Sequence, residues 1–189
     1  MTGLLRPVSA NFAITQGVFG HNSNEPPGRI LSASSGKHIA PKKAYVAPEY
    51  AHLHLACDIG CPVGTPVIAG ATGIIVQQGI NARFSDGSID GEWYQFLQIR
   101  RDATSQTLLF DTHLSKFIAK VGQRVLRGQR KALSGNTGRS SGPHDHTEVI
   151  VAPRWMSPWQ AFFSGTHYDP RQCWEGGALA GRLFLVSNV

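Results

Sequence analysis

Two short stretches of the chain carry side chains whose type and spacing suit metal-dependent hydrolysis. The first is His144-Asp145-His146. In an extended strand, residues i and i+2 project from one face, about 6 to 7 Å apart. Two imidazoles so placed can meet at one small site, one binding a metal while the other handles protons. The second stretch holds His52, His54 and Asp58, which share a face if they lie on one strand. Two imidazoles and a carboxylate leave the fourth position of a tetrahedral zinc open to water, as a hydrolytic site requires. On spacing alone His52 and His54 compete for the ligand role, and either stretch taken singly reads more readily as a polar surface or edge than as a metal site. His113 stands by itself in Phe110-Asp111-Thr112-His113-Leu114-Ser115, where a lone histidine is more often structural.

The elements that must hold these residues are short and rich in turns. Ala13 to Gly20 reads as a brief strand or turn, followed by a polar, proline-containing stretch from His21 to Tyr50 that includes His38. A connection of that length in a compact domain tends to be functional, so it is a candidate wall for a cleft. His52 to Ile59 leads into the turn residues Gly60 to Pro66. Val67 to Ala69 and Gly73 to Gln77 then read as β-rich runs. A second polar loop, Asn81 to Glu92, precedes Trp93 to Arg101, which alternates as a strand should. Thr107 to Leu114 and Thr147 to Val151 are further strand candidates, with tight turns around Gly122 and Gly128 between them. Only Pro158 to Phe163 has helical character. Strands at this spacing, without alternating helices, predict a mainly β fold with little helix, an antiparallel sheet or sandwich.

Composition bounds the function. The 189 residues favour one domain with a core that needs no disulfide staples. With 41% hydrophobic and 16% charged residues, 21 glycines and 11 prolines, the chain is globular and cut by turns. A net charge of +6 suits a polyanionic partner but is spread over the sequence, the densest group being Arg124 to Lys131. No recognition helix, RNA-binding sheet motif or zinc finger points to nucleic acid. No run reaches the roughly 18 apolar residues of a membrane span, and the first residues contain no signal-peptide core. The expectation is a protein made soluble in the cytoplasm that reaches its target by another route of release, with no obligate protein partner. Cys57, Cys61 and Cys173 leave at least one thiol unpaired and do not form a metal-binding pair, so all three read as small buried hydrophobes.

In their order, these residues resemble the lysostaphin-type, or LytM-like, zinc endopeptidases that cut peptidoglycan peptides. That family carries H-x-x-x-D and then G-T-P-V-x-A, matched by His54 to Asp58 and by Gly64 to Ala69. It continues with H-L-S, matched by His113-Leu114-Ser115, and V-x-x-G-Q, matched by Val125 to Gln129. It ends with G-N-T-G-x-S-x-G-P-H-x-H-x-E-V, matched by Gly135 to Val149. The resemblance runs from about Ala13 to Phe163 and selects His54 over His52. It departs at Ala56, where the family often has glycine, and at Asp145 and Thr147, where it usually has apolar residues. A buried unpaired carboxylate is costly, so Asp145 is expected to find a partner or solvent.

The resemblance implies a LytM-like fold with a duplicated hybrid motif, in a peptidase domain over 13–163. A lead-in of 1–12 precedes it, and an extension of 164–189 without assigned role follows. It implies one Zn²⁺ per chain held by His54, Asp58 and His146, with His113 and His144 sharing the proton transfer and oxyanion work. The substrate it implies is bacterial peptidoglycan, cut in its stem peptides or cross-bridges, with the loops around His21 and Asn81 as walls of the substrate groove. Absence of a leader favours a phage-type lysin or a virion-associated component over a secreted autolysin. The alternative is a non-catalytic cell-wall-binding or regulatory module, or a structural virion protein that keeps the fold.

Overall fold

The structure, a computed structural model, describes residues 3–16, 55–80, 91–100 and 102–177. Its strands are β1 (Ile14–Gln16), β2 (Cys57–Gly60), β3 (Pro66–Ile68), β4 (Gly73–Ile80), β5 (Trp93–Arg100), β6 (Ser105–Thr112), β7 (Lys116–Phe117), β8 (Arg124–Val125), β9 (Arg130–Leu133), β10 (His144–Pro153) and β11 (Thr166–Tyr168). Two short helices, α1 (Pro158–Ser164) and α2 (Pro170–Cys173), lie on either side of β11. The mainly β, antiparallel expectation holds, and the helical reading of Pro158 to Phe163 coincides with α1. Among the described residues no helix is long and apolar enough to cross a membrane.

The larger sheet runs β1-β2-β10-β6-β5-β4-β8, and a smaller one runs β3-β9-β7. The ten-residue β10 organises the larger sheet. One of its edges pairs with β6 along most of its length. Its other edge pairs with β2 near His144 and with β11 near Val151. Alternation along these strands feeds two cores. Phe96, Leu108, Phe110 and Ile150 point to one face, where they meet Ala161 and Phe162 of α1 and the half-buried Trp159. Leu97, Ile99, Leu109 and Val149 point to the other face and pack with Leu4, Ile75 and Cys173. Each such side chain contributes about 1.5 to 3 kcal/mol of burial free energy.

α1 begins where its sequence says it should. Ser157 caps the Gln160 amide while the Gln160 side chain bonds back to Ser157, and Pro158 occupies the first turn. The chain then turns sharply at Gly165, where a Cβ would sit 2.5 Å from the Ala161 carbonyl. That turn brings β11 alongside β10. The start of the chain also enters the core: Leu4 is buried and bridges to Trp174. All three cysteines are free and buried. The possible edge strand at Leu183 to Val186 lies outside the described residues.

Asp145 departs from expectation. It is fully buried, and neither carboxylate oxygen has a hydrogen-bond partner among the described residues. It faces the space between the sheets with Thr147, also buried, near a tight ion pair in which Lys131 Nζ lies 2.6 Å from Asp111 Oδ2. Burial, then the Asp111 charge, push its carboxyl well above the usual range despite Lys131. The group escapes the cost of an isolated buried charge by keeping its proton. This face of β10 is polar but buried, and the partner expected for Asp145 is not found among the described residues.

Candidate metal centre

Register brings the candidate residues together. On β10, His144 pairs with Gly60 and His146 with Asp58 of β2. On its other edge His146 pairs with Thr112, the last residue of β6, and the chain turns immediately afterwards at His113. There φ is +59°, a left-handed conformation that a non-glycine residue adopts at a cost. Gly135 accommodates that turn, because a Cβ there would stand 2.5 Å from the His113 carbonyl. The Gly135 carbonyl in turn accepts from the His144 amide at 3.3 Å. One glycine therefore stitches the two histidine-bearing corners together.

The result is a compact cluster. Nitrogens of His113, His144 and His146 all lie within 4.8 Å of one another. Asp58 Oδ1 is 3.0 Å from His146 Nδ1 and 3.6 Å from His144 Nε2. The rings of His113 and His144 are 4.4 Å apart between centroids. Phe110 stands edge-on to His146 and walls the site toward the aromatic core.

Hydrogen bonds select the tautomers. His113 Nδ1 donates to the Thr137 carbonyl at 2.7 Å. His144 Nδ1 donates to the Gly142 carbonyl at 2.7 Å, with Ser140 Oγ 3.2 Å away. A carbonyl only accepts, so in both rings the proton sits on Nδ1 and Nε2 presents its lone pair. Thr137 is held in turn, its hydroxyl bonded to the Leu114 carbonyl and the Trp93 amide. Buried Glu92 bonds the Thr112 hydroxyl and lies 3.9 Å from His113 Nδ1.

The electrostatics separate the rings. His113 is pushed down to about 3, first by burial and then by the neighbouring His146 and His144, against the Thr137 carbonyl that favours its charged form. It is a neutral imidazole at physiological pH. His146 moves the other way: burial opposes its charge, but its contacts with Asp58 and Glu148 outweigh this and raise it well above the ordinary value. The field between Asp58 and His146 therefore favours positive charge. A nitrogen and oxygen donor set of this kind suits zinc and similar borderline divalent ions.

The pattern of peptidase family M23 matches residues 52–158, more than half of the chain. The chain belongs to peptidase family M23. Within that family it is 36% identical over 133 residues to the peptidoglycan DD-endopeptidase ShyA of Vibrio cholerae, covering 70% of this chain and 27% of that protein. It is also 36% identical over 144 residues to the glycyl-glycine endopeptidase ALE-1 of Staphylococcus capitis, covering 71% of this chain and 33% of that one. A crystal structure of a zinc-containing peptidase from Vibrio cholerae superposes with a TM-score of 0.50 at 27% identity, covering 80% of this chain and 38% of its own. The chain thus spans about a quarter to a third of the length of the curated relatives it matches.

Of the M23 site residues expected from the sequence, Asp58, His113, His144 and His146 converge. His54 lies outside the described residues, as do His52, His21, His38 and the loop positions from Asn81 to Asp90. Two participants escaped sequence reasoning. Glu148 accepts from His146 Nε2 at 3.1 Å, and His167 Nδ1 lies 2.6 Å from the second Glu148 oxygen. Glu148 was legible in principle, because it continues the i, i+2 face of His144 and His146. His167 had no such signal.

Proposed function

We propose that this chain is a zinc metalloendopeptidase that hydrolyses peptide bonds in the stem peptides or cross-bridges of bacterial peptidoglycan. The observation that carries this reading is the convergence of Asp58, His144, His146 and His113 on one point at the sheet end. His54, Asp58 and His146 would hold one zinc ion, His146 through Nδ1, the nitrogen that faces Asp58 and that would give up its proton to the metal. Zinc there supplies a Lewis acid that polarises the scissile carbonyl and brings the pKa of water from about 16 toward 7.

The rest of the chemistry falls to the protein's own groups. The sequence has no H-E-x-x-H glutamate to act as base. His113 and His144 each present Nε2 while a backbone carbonyl holds Nδ1, so each ring can accept a proton without turning. The ring that takes the proton from the attacking water then holds an N–H that can steady the carbonyl oxygen and return the proton to the leaving amine. With the His113 and His144 rings 4.4 Å apart, both tasks fall within one substrate width.

Purified peptidoglycan incubated with the wild-type protein should release soluble peptides, and their masses identify the bond. Folded, zinc-loaded protein that releases nothing from walls of several cross-link types would replace this reading with a binding or structural role.

A further inference from the structure

Glu148 and His167 have no part in the proton transfer or metal binding assigned above, yet they are among the most buried polar groups, at 1% and 0% exposure. Glu148 shares a strand face with His144 and His146. The pairing of β11 with β10 sets His167 opposite Ile150, diagonal to Glu148 on that same face. The Glu148 carboxylate divides its oxygens between two rings: Oε1 accepts from His146 Nε2 at 3.1 Å, and Oε2 lies 2.6 Å from His167 Nδ1. His167 Nε2 in turn donates to the Phe162 carbonyl at 2.9 Å. A continuous line of contacts therefore runs from the end of α1 through His167 and Glu148 to His146 and Asp58.

We propose that His167, acting through Glu148, is a positioning residue that orients His146 as a metal ligand; this rests on the zinc site proposed above. An imidazole that ligates through Nδ1 must carry its proton on Nε2, and a carboxylate fixed at Nε2 holds both that tautomer and the ring's rotation. A carboxylate can swing about its own axis unless its second oxygen is also engaged. His167 Nδ1, 2.6 Å away, engages it as an ion pair; because Nε2 donates to the Phe162 carbonyl, the ring makes both contacts as an imidazolium, and the orientation of His146 is anchored in the corner between α1 and β11. A tie between strands alone would not call for these groups. The backbones of β10 and β11 already pair at three positions, and apolar side chains of similar volume would fill the space without the cost of burying a carboxylate.

The test compares wild type with Glu148→Gln, His167→Phe and the double variant. Zinc affinity is measured by competition with a chromophoric chelator on metal-stripped protein, and the absorption spectrum is recorded after loading with cobalt(II). Circular dichroism establishes which variants fold. Positioning through Glu148 requires that each single variant bind zinc about 10- to 100-fold more weakly than wild type. It also requires an altered cobalt spectrum and a double variant no weaker than Glu148→Gln alone. His167→Gln, whose amide can still donate to Glu148, should recover part of the loss. If His167→Phe does not fold, Glu148→Gln keeps the shape of the site and carries the same expectation. Folded variants with wild-type zinc affinity and an unchanged cobalt spectrum would overturn the positioning role while leaving the zinc site standing. A wild-type protein that takes up no zinc would overturn both.

Discussion

Asp58 and His146 face each other across the pairing of β2 with β10, with Asp58 Oδ1 3.0 Å from His146 Nδ1. Eighty-seven residues separate them along the chain, and sheet register alone makes them neighbours. A one-residue slip of β2 would turn Asp58 to the opposite face, because strand side chains alternate. The buried Cys57 and Ile59, anchored with Val67 and Leu114, guard against that slip.

His113 and His144 are assigned to proton transfer rather than to holding the metal. Replacing either with Ala should lower turnover by about 10² to 10⁴, the usual scale for general acid-base groups. Steady-state rates on a defined cross-linked peptide give the comparison. A loss below tenfold in both variants would exclude the assignment.

Asp145 sits in the space between the sheets with both oxygens unpartnered among the described residues. Asp145→Val removes the orphaned carboxyl and suits the strand. It should stabilise the fold by about 1 to 3 kcal/mol at neutral pH, the range for an unsatisfied buried polar group. Urea denaturation at pH 7 measures it, and a destabilised variant would show that Asp145 has a partner in solution.

How far the sequence foretold this arrangement depended on the kind of relation involved. The convergence of His144 and His146 is local, since i and i+2 share a strand face, and was legible from the start. Their meeting with Asp58 and His113 is non-local; the order of motifs signalled it only through resemblance. The burial of Asp145 was misjudged because a strand pattern shows that one face is polar but not whether a second sheet covers it. Lys131 of β9 lies just there, paired with Asp111. His167 falls in the extension left without a role, because nothing in Thr166-His167-Tyr168 tells that β11 will lie against β10 beside Glu148.

Asp102 gives a pH-dependent test remote from the site. Its carboxylate accepts from the Ser105 and Thr104 hydroxyls and from both backbone amides. These bonds, that of the Ser105 side chain foremost, hold it well below the usual carboxylate range. A group lowered on folding adds stability above its unfolded value, near 3.9, and loses it as pH falls toward the folded value. Asp102→Asn should therefore be less stable than wild type at pH 7, with the difference shrinking as pH drops below about 4. Thermal melts across that range decide it; a difference independent of pH would show that the charge is immaterial.

The most direct test of the central claim is the zinc content of purified wild type, Asp58→Ala, His146→Ala, His113→Ala and His144→Ala, by elemental analysis of folded protein. The account requires about one zinc per chain in wild type, His113→Ala and His144→Ala, and its loss in Asp58→Ala and His146→Ala. Zinc retained in full by Asp58→Ala and His146→Ala, or lost instead from His113→Ala and His144→Ala, would contradict it.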